Sequence, residues 1–408
     1  MALCHIHHSC GQIAQRMAKA KNKKKKKDFK YWVGQAHLWL GLASGLIVLL
    51  LGITGCLYAF SEEITSALRS DEIYVKEIKE TRLPPSELWK IAQQAIGKDK
   101  PLNSINIYSD PAKSVRFYTY AGSEGHLFYF DNIDHYLTAY VNPYTGEVLG
   151  IYDEEMDFFN IIKMLHWSLL LDTPIGQPIT GWATFIFVVM LITGIILWWP
   201  KNKAARKQRL WFQWKDSTKW RRKNYDLHNI FGFYISTIAI IVAFTGMVWA
   251  FTWFQATVYV VGSQSISPPE IITEKSTFTD IGDKDAAFNK AYAVAKEKHA
   301  DAGGYSFAYP ADSLAAIDVY VQQYEGRYYV NHNMQFDQYT GKFLRERLHD
   351  EKNFGEKLIA ANYDIHVGAI LGLPGKILAF IISFVCAMLP VTGFLIWWGR
   401  TNKKSKKI

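Results

Sequence analysis

At 408 residues with four cysteines, the chain is long enough for two or three domains and too poor in cysteine for a disulfide-built fold. Its formal charge of +9 is concentrated in three short segments: nine Lys/Arg through Lys30, ten in residues 201–226 and five from Gly399 onward, against Asp28, Asp216 and Asp226. The remainder is acidic, which fits positively flanked membrane spans and argues against nucleic acid as a partner.

In chain order, residues 1–30 read as a basic cytoplasmic tail. The lysine run 23–27 suits anionic lipid head groups, with nucleic-acid binding as the alternative. Cys4-His5-Ile6-His7-His8-Ser9-Cys10 is a tract that a soft metal would fit. A first span follows at 31–60; it lacks a small-residue cleavage site and is expected to stay in place as a span. Residues 61–157 form a first outer α+β domain. There 86–96 predicts a helix with Ser86 as N-cap, and 104–108, 114–120 and 127–130 predict strands. Residues 139–149 predict strand, turn, strand. An outer helix carrying His166 and a second span occupy 158–200, and a basic inner connection occupies 201–226. A third span covers 227–254 and a second outer α+β domain 255–350, with a helix at 286–299 and strand–turn–strand at 335–344. An outer segment carrying His366 and a fourth span fill 351–398, and 399–408 is an inner tail. Positive flanks put both termini and the middle connection inside. Trp198, Trp199, Trp397 and Trp398 then form an aromatic belt at the inner interface.

The two halves repeat. His37 opens one apolar run and His228 another, and Gly41 aligns with Gly232, Gly45 with Ser236, Thr54 with Thr245 and Gly55 with Gly246 at one constant offset. Leu165-His166 precedes a run ending Thr193-Gly194-Ile195-Ile196-Leu197-Trp198-Trp199. Ile365-His366 precedes a run ending Thr392-Gly393-Phe394-Leu395-Ile396-Trp397-Trp398. The turns Tyr144-Thr145-Gly146 and Tyr339-Thr340-Gly341 match as well. The fold class is therefore a four-helix transmembrane bundle from a tandem repeat, with two α+β outer domains. Both halves start and end inside, as in a parallel repeat.

A histidine at the edge of a span is a functional-site candidate. His37 and His228 fall at inner ends, and His166 and His366 outside. A hydrocarbon core of about 30 Å separates the two sets. The possible pairs are thus His37 with His228 and His166 with His366, each taking one residue from each half. Two histidines on opposed helices can clamp a haem iron axially. Gly41 and Gly45 lie one and two turns beyond His37, as Gly232 and Ser236 do beyond His228. A flat macrocycle would lie over such small residues; close helix contact is the other use of the spacing. His135 and His349 are reserve candidates for an outer ligand, whereas His126, His299 and His332 read as surface residues. There is no Cys-x-x-Cys-His, so a haem would be b-type, and there is no dinucleotide fingerprint, P-loop or His-Glu-x-x-His. Tyr118, Tyr120, Tyr129, Phe158, Phe159 and Tyr363 are outer aromatics able to pack a ligand, with core packing as their ordinary role.

The histidine before a span ending Thr-Gly-x-x-x-Trp-Trp, the histidine opening the partner span and the Tyr-Thr-Gly turns resemble the PepSY-associated transmembrane family over about 30–400. The extension 1–28 departs from that pattern. Dihaem ferric-siderophore reductases are similar, and the resemblance implies two PepSY-like periplasmic domains on a bacterial inner-membrane protein. It implies two haem b groups ligated by His37, His228, His166 and His366. Electrons would enter at the His37/His228 haem from a cytoplasmic reductase or quinol. They would leave at the His166/His366 haem to a ferric siderophore, whose hard oxygen donors hold Fe(III) better than Fe(II). An iron or siderophore permease and a regulatory PepSY binding protein without redox activity are the rival classes.

Overall fold

The computed structural model describes residues 27–200, 202–269, 273–279, 282–308, 310 and 312–405. Most of the basic tail, with Cys4 and Cys10, lies outside the described residues. Helix α1 (Phe29–Tyr58) starts at Asp28, whose carboxylate accepts the Tyr31 N–H at 3.0 Å. His37, which opens the apolar run, lies two turns inside the helix. Hydropathy marks the hydrocarbon, not the helix end, and polar residues at a membrane surface continue a helix freely. After α2 (Ser61–Leu68) and a short turn at Ser70–Ile73 comes α3 (Pro85–Ile96). Pro84, not Ser86, holds its N-cap; Ser86 is inside the first turn, and its hydroxyl accepts the Asn289 amide at 2.8 Å.

Strands β1 (Ser104–Tyr108), β2 (Val115–Gly122), β3 (Ile133–Val141) and β4 (Val148–Asp153) follow. The strand expected at 127–130 is replaced by a 3-10 turn, Tyr129–Asn132. The Asn132 amide fixes it by donating to the His126 and Phe128 carbonyls at 3.1 and 3.3 Å. Next come α4 (Phe158–Ser168), α5 (Thr173–Trp198), a short helix at Lys203–Leu210, α6 (Trp220–Ala250), α7 (Thr252–Ser263) and α8 (Lys284–Lys298). The chain ends with β5 (Gly304–Ala308), β6 (Ile317–Tyr324), β7 (Arg327–Phe336), β8 (Phe343–Arg347), α9 (Phe354–Ala360), α10 (Asn362–His366) and α11 (Leu373–Ser405).

Four helices, α1, α5, α6 and α11, are long and apolar enough to cross a membrane. Helices α1 and α6 lie diagonally, each packed along both α5 and α11. Leu191, Ile235, Ala239, Ile382, Val385 and Leu389 fill the middle of the bundle. A Cβ at Gly52 would meet the Ala387 backbone nitrogen at 2.6 Å, so α1 and α11 touch through their backbones. Trp199 and Trp398 are exposed at the end of the bundle that carries the chain termini, as a belt requires. Trp198 departs from that expectation. It is buried, stacked on Phe233 at 3.6 Å, with its indole N–H given to the Arg209 carbonyl at 3.2 Å.

The two outer segments, expected as two domains, share one eight-stranded antiparallel sheet of order β4-β3-β2-β1-β5-β6-β7-β8. Its centre is the β1–β5 pair, running from Ser104 opposite Ala308 to Tyr108 opposite Gly304. Apart, β1 and β5 would each present an open edge; joined, both ladders are satisfied. Helices α3 and α8 cover one face. Leu88, Ala92, Phe288 and Ala291 form a single core there with Ile105, Phe117, Phe307 and Val319.

Candidate functional site

His37 on α1 and His228 on α6 face each other across the bundle, with ring centroids 6.4 Å apart and planes 88° apart. His166 near the end of α4 and His366 at the end of α10 make a second pair on the sheet side, 6.0 Å apart with planes at 76°. Thr54, which bonds His166, stands 17 residues along α1 from His37, about 25 Å of helix. The two pairs therefore sit at different depths of the bundle.

Every ring is held in one way. Nδ1 of His37 lies 2.9 Å from Thr193 Oγ1, that of His228 2.9 Å from Thr392, that of His166 2.8 Å from Thr54 and that of His366 2.8 Å from Thr245. Each hydroxyl gives its single hydrogen to a carbonyl one turn back: Val189 for Thr193 (2.8 Å), Leu50 for Thr54 (2.8 Å), Val242 for Thr245 (2.6 Å) and Met388 for Thr392 (3.0 Å). The threonine oxygen can then only accept, so Nδ1 carries the ring hydrogen. The Val242 carbonyl, 3.2 Å from Nδ1 of His366, requires the same, since a carbonyl never donates. Nε2 is left as a bare lone pair, the form in which a neutral imidazole binds a metal.

Glycine follows each of these threonines. A Cβ at Gly194, Gly55, Gly246 or Gly393 would lie 3.4, 3.7, 3.6 or 3.2 Å from Cε1 of His37, His166, His366 or His228. Threonine orients the ring and glycine leaves room for it. Asn224 and Asn362, one turn before His228 and His366, brace the same threonines by donating to their carbonyls at 3.0 and 3.1 Å. The sequence marks Thr-Gly as a repeated pair without giving it a task; of seven such pairs, the four that hold histidine stand at matched places on the spans of the two halves, and that match was the available signal.

The small residues past His37 and His228 sit on helix seams. A Cβ at Gly41 would come within 2.7 Å of Met190 Cε, and at Gly45 and Gly232 within 3.5 and 3.4 Å of Pro390 and Leu389. The buried Ser236 turns its hydroxyl to the Phe233 carbonyl at 2.8 Å. Of the reserve histidines, the His135 ring bonds Thr119 at 2.9 Å within the sheet, whereas the ring Nδ1 of His349 is buried without a hydrogen-bond partner and only its backbone N–H donates, to the His332 ring at 3.1 Å. Among the described residues no group of three or more His, Cys, Asp or Glu could hold a metal ion.

A cavity of about 870 Å³ lies between the second face of the sheet and the sheet-side ends of the helices. Strand alternation builds it: Val115 and Phe117 enter the core, while Arg116 and Tyr118 enter the cavity. Of the six outer aromatics, Tyr118 and Phe159 line it. Tyr363 lies against its wall, 5.5 Å from the ring of Tyr328. Tyr120 and Phe158 are exposed instead, and Tyr129 is buried with its hydroxyl on Asn160 at 2.9 Å. Burial pushes Tyr136 and Tyr320 of the cavity wall up to about 12, so both remain phenols. Rings continue from the cavity to the sheet-side pair: Tyr363 is 6.5 Å from Trp249, and Trp249 is 5.2 Å from His366.

The fold and site define a multi-pass helical membrane protein with a histidine pair at each of two levels. The PepSY-associated TM region matches residues 35–400, and the chain belongs to that family. No curated protein matches it.

Proposed function

We propose that the protein is a dihaem b-type electron-transfer protein of a bacterial inner membrane that reduces the iron of a ferric siderophore on the sheet side. The doubled histidine pair carries this reading. Two imidazoles on opposite sides of one metal, at about 2.0–2.1 Å per bond, place their ring centres roughly 6 Å apart. The two pairs stand at 6.4 and 6.0 Å, each with Nε2 bare. With two protein ligands per site, the remaining four positions of an octahedral iron suit a porphyrin. His37 and His228 would hold one haem, and His166 and His366 the other. A bound haem supplies reversible one-electron chemistry at its iron.

The chain's own residues do the rest. The four threonines fix ring direction and tautomer, and the apolar middle of the bundle keeps water out between the two levels. The cavity admits the acceptor beside the sheet-side pair. One electron from a quinol or a cytoplasmic reductase converts Fe(III) to Fe(II), which hard oxygen chelators release. The basic connection and tails keep the terminal side in the cytoplasm and the PepSY-like sheet in the periplasm. The same His–Thr–Gly arrangement in both halves supports a tandem duplication.

The test is a spectrum of the purified protein, oxidised and then reduced with dithionite, together with four variants. Two low-spin b haems per chain are expected. His37→Ala and His228→Ala should deplete one, and His166→Ala and His366→Ala the other. A colourless protein overturns the reading, and loss of the same haem in His37→Ala and His166→Ala overturns the pairing. Reoxidation of the reduced protein by a ferric siderophore, with Fe(II) caught by a ferrous trap, tests the acceptor.

A further inference from the structure

The cavity wall has an unequal distribution of charge. Its carboxylates all have cations. Arg69 holds Glu154 and Asp157 at 2.8 and 2.7 Å, Lys376 holds Glu62 and Glu63 at 2.9 and 2.7 Å, and Lys113 holds Glu325. Arg116 and Lys163 also face the cavity; Arg116 forms no ion pair among the described residues, and Lys163 feels the charges of Glu154 and Asp157 without bonding either. The Arg116 guanidinium stands 4.7 Å over the Tyr118 ring, and its Nε is buried with no hydrogen-bond partner. Lys163 lies on α4 one turn before His166, and burial lowers its pKa. Five guanidinium N–H donors and an ammonium face phenol oxygens that can accept a hydrogen bond but carry no negative charge to balance the guanidinium. A cation left so in a protein wall is costly unless a ligand completes it.

We propose that Arg116, seconded by Lys163, binds an anionic oxygen group, a catecholate or carboxylate, of the ferric chelate, with the surrounding tyrosine rings packing its aromatic donors. The iron in this statement rests on the reductase reading; the anion rests on the cavity alone. Elsewhere on the wall two carboxylates share one cation, at Arg69 and again at Lys376, so an anion is drawn to the Arg116 corner and oriented there. From Tyr328 on the wall, Tyr363 and Trp249 lead to His366, so three ring contacts link the cavity wall to the sheet-side pair.

The experiment measures binding of gallium(III) chelates to the full-length protein in discs of zwitterionic lipid, by quenching of its aromatic fluorescence. Gallium stands in for iron and accepts no electron, so this assay is independent of haem reduction. A hexadentate tris-catecholate chelate, with three negative charges, should bind. Arg116→Gln should weaken it roughly ten- to a hundredfold, the loss of hydrogen bonds to a charged group. A neutral tris-hydroxamate chelate should change less than about threefold by the same measure. Arg116→Gln should also melt no lower than the parent and keep its full haem content, because it removes an unpartnered cation. Arg116→Lys should recover part of the binding. Equal tris-catecholate binding by Arg116→Gln overturns the proposal, as does a lowered melting point with Lys163→Gln binding unchanged. Competition by inorganic phosphate or by phosphatidylglycerol in the discs, at the concentration of the chelate, would mark a general oxyanion or lipid site and overturn the chelate assignment. If gallium chelate binds through Arg116 but ferric chelate leaves reduced haems untouched, the site stands and the reductase reading fails. If an anionic ferric tris-catecholate reoxidises the haems equally in the parent and Arg116→Gln, the reductase stands and this site falls.

Discussion

Replacing Thr392 by valine tests the ring-orienting role most directly, because valine keeps the shape of threonine and removes only the hydroxyl, with its contact to His228 and its bond to the Met388 carbonyl. The 2.9 Å contact to Nδ1 of His228 disappears, while the Asn224 brace to the Thr392 carbonyl persists. A buried N–H without its acceptor costs about 1–3 kcal/mol, and removing a group that orients a metal-binding histidine lowers affinity about 10–100-fold. Tenfold corresponds to about 1.4 kcal/mol, so the two scales agree. On the dihaem reading, Thr392→Val should release the haem of the His37/His228 pair ten- to a hundredfold more readily to a haem-scavenging apoprotein. The haem of the His166/His366 pair should be retained as in the parent. Thr392→Ser keeps the hydroxyl and should restore retention. Valine indistinguishable from threonine, or serine as weak as valine, would refute the reasoning, the first by showing the contact to be idle and the second by showing the methyl to be what matters.

Gly52→Ala drives a Cβ to 2.6 Å from the Ala387 nitrogen and should lower the melting temperature in detergent by an overpacking penalty of about 1–3 kcal/mol; Gly45→Ala, facing Pro390 at 3.5 Å, should not. Asp337 and Asn142 make the same Tyr-Thr-Gly turn. Asp337 accepts from Thr277 at 2.8 Å, Tyr339 at 3.0 Å and Thr340 at 2.9 Å, and Asn142 from Tyr144 at 2.9 Å. Burial would raise the Asp337 carboxyl, but the hydrogen bonds outweigh it and leave it below its ordinary value. The stability it contributes is therefore present above about pH 4 and lost as the pH falls through its lowered folded value. Amide exchange at the 337–342 turn should rise with acid while that at 142–147 does not, and Asp337→Asn should abolish the difference. A thiol introduced at the exposed Lys342, in the turn that follows Tyr339, should react with an impermeant label from outside, and one at the exposed Lys207 should not; the reverse pattern would invert the direction of electron flow. Cutting the chain between Lys215 and Lys219 and expressing the pieces together should still yield both haems. A monomeric first piece that gives a bis-histidine spectrum alone would contradict the pairing.

The histidine pairs were legible because two coarse signals decide them. Charge asymmetry orients the spans, and the thickness of the hydrocarbon forbids His37 from meeting His166. Other features needed the third dimension. That β1 completes its ladder with β5 is invisible locally, since each strand alone reads as an ordinary half-buried strand. Arg116 was passed over for a related reason. Alternation on β2 shows that it points away from Phe117, but not that the opposite face looks onto a cavity beneath the sheet instead of flat, solvated surface. Trp198 failed as a belt residue because interfacial tryptophan and a tryptophan stacked on Phe233 leave the same mark in sequence. The threonines were in plain view as Thr-Gly, yet a threonine in a span has an ordinary use, bonding the carbonyl one turn back. Here that ordinary bond is what frees the oxygen to accept from histidine.

The division of labour between the two halves follows from these contacts. Within the first half, Thr193 orients His37 and Thr54 orients His166; within the second, Thr392 orients His228 and Thr245 orients His366. Each half therefore sets the direction of its own rings. Neither half sets the separation of a pair, because both pairs join one ring from each half. Separation is fixed by the joints between halves: the β1–β5 ladder, the Ser86–Asn289 bond, the backbone contact of α1 with α11 and the clamp of Lys376 on Glu62 and Glu63. The ladder lies in the sheet, the Lys376 clamp at the cavity and the Ser86–Asn289 bond on the far face of the sheet, while the Gly52 contact lies two residues from Thr54, which holds His166. A metal held by two protein ligands tolerates little change in their spacing, so a joint that loosens should disturb the nearer pair first. The fused sheet thus has a role beyond roofing the cavity, for it holds the spacing of the histidine pair on which the proposed outward electron step depends.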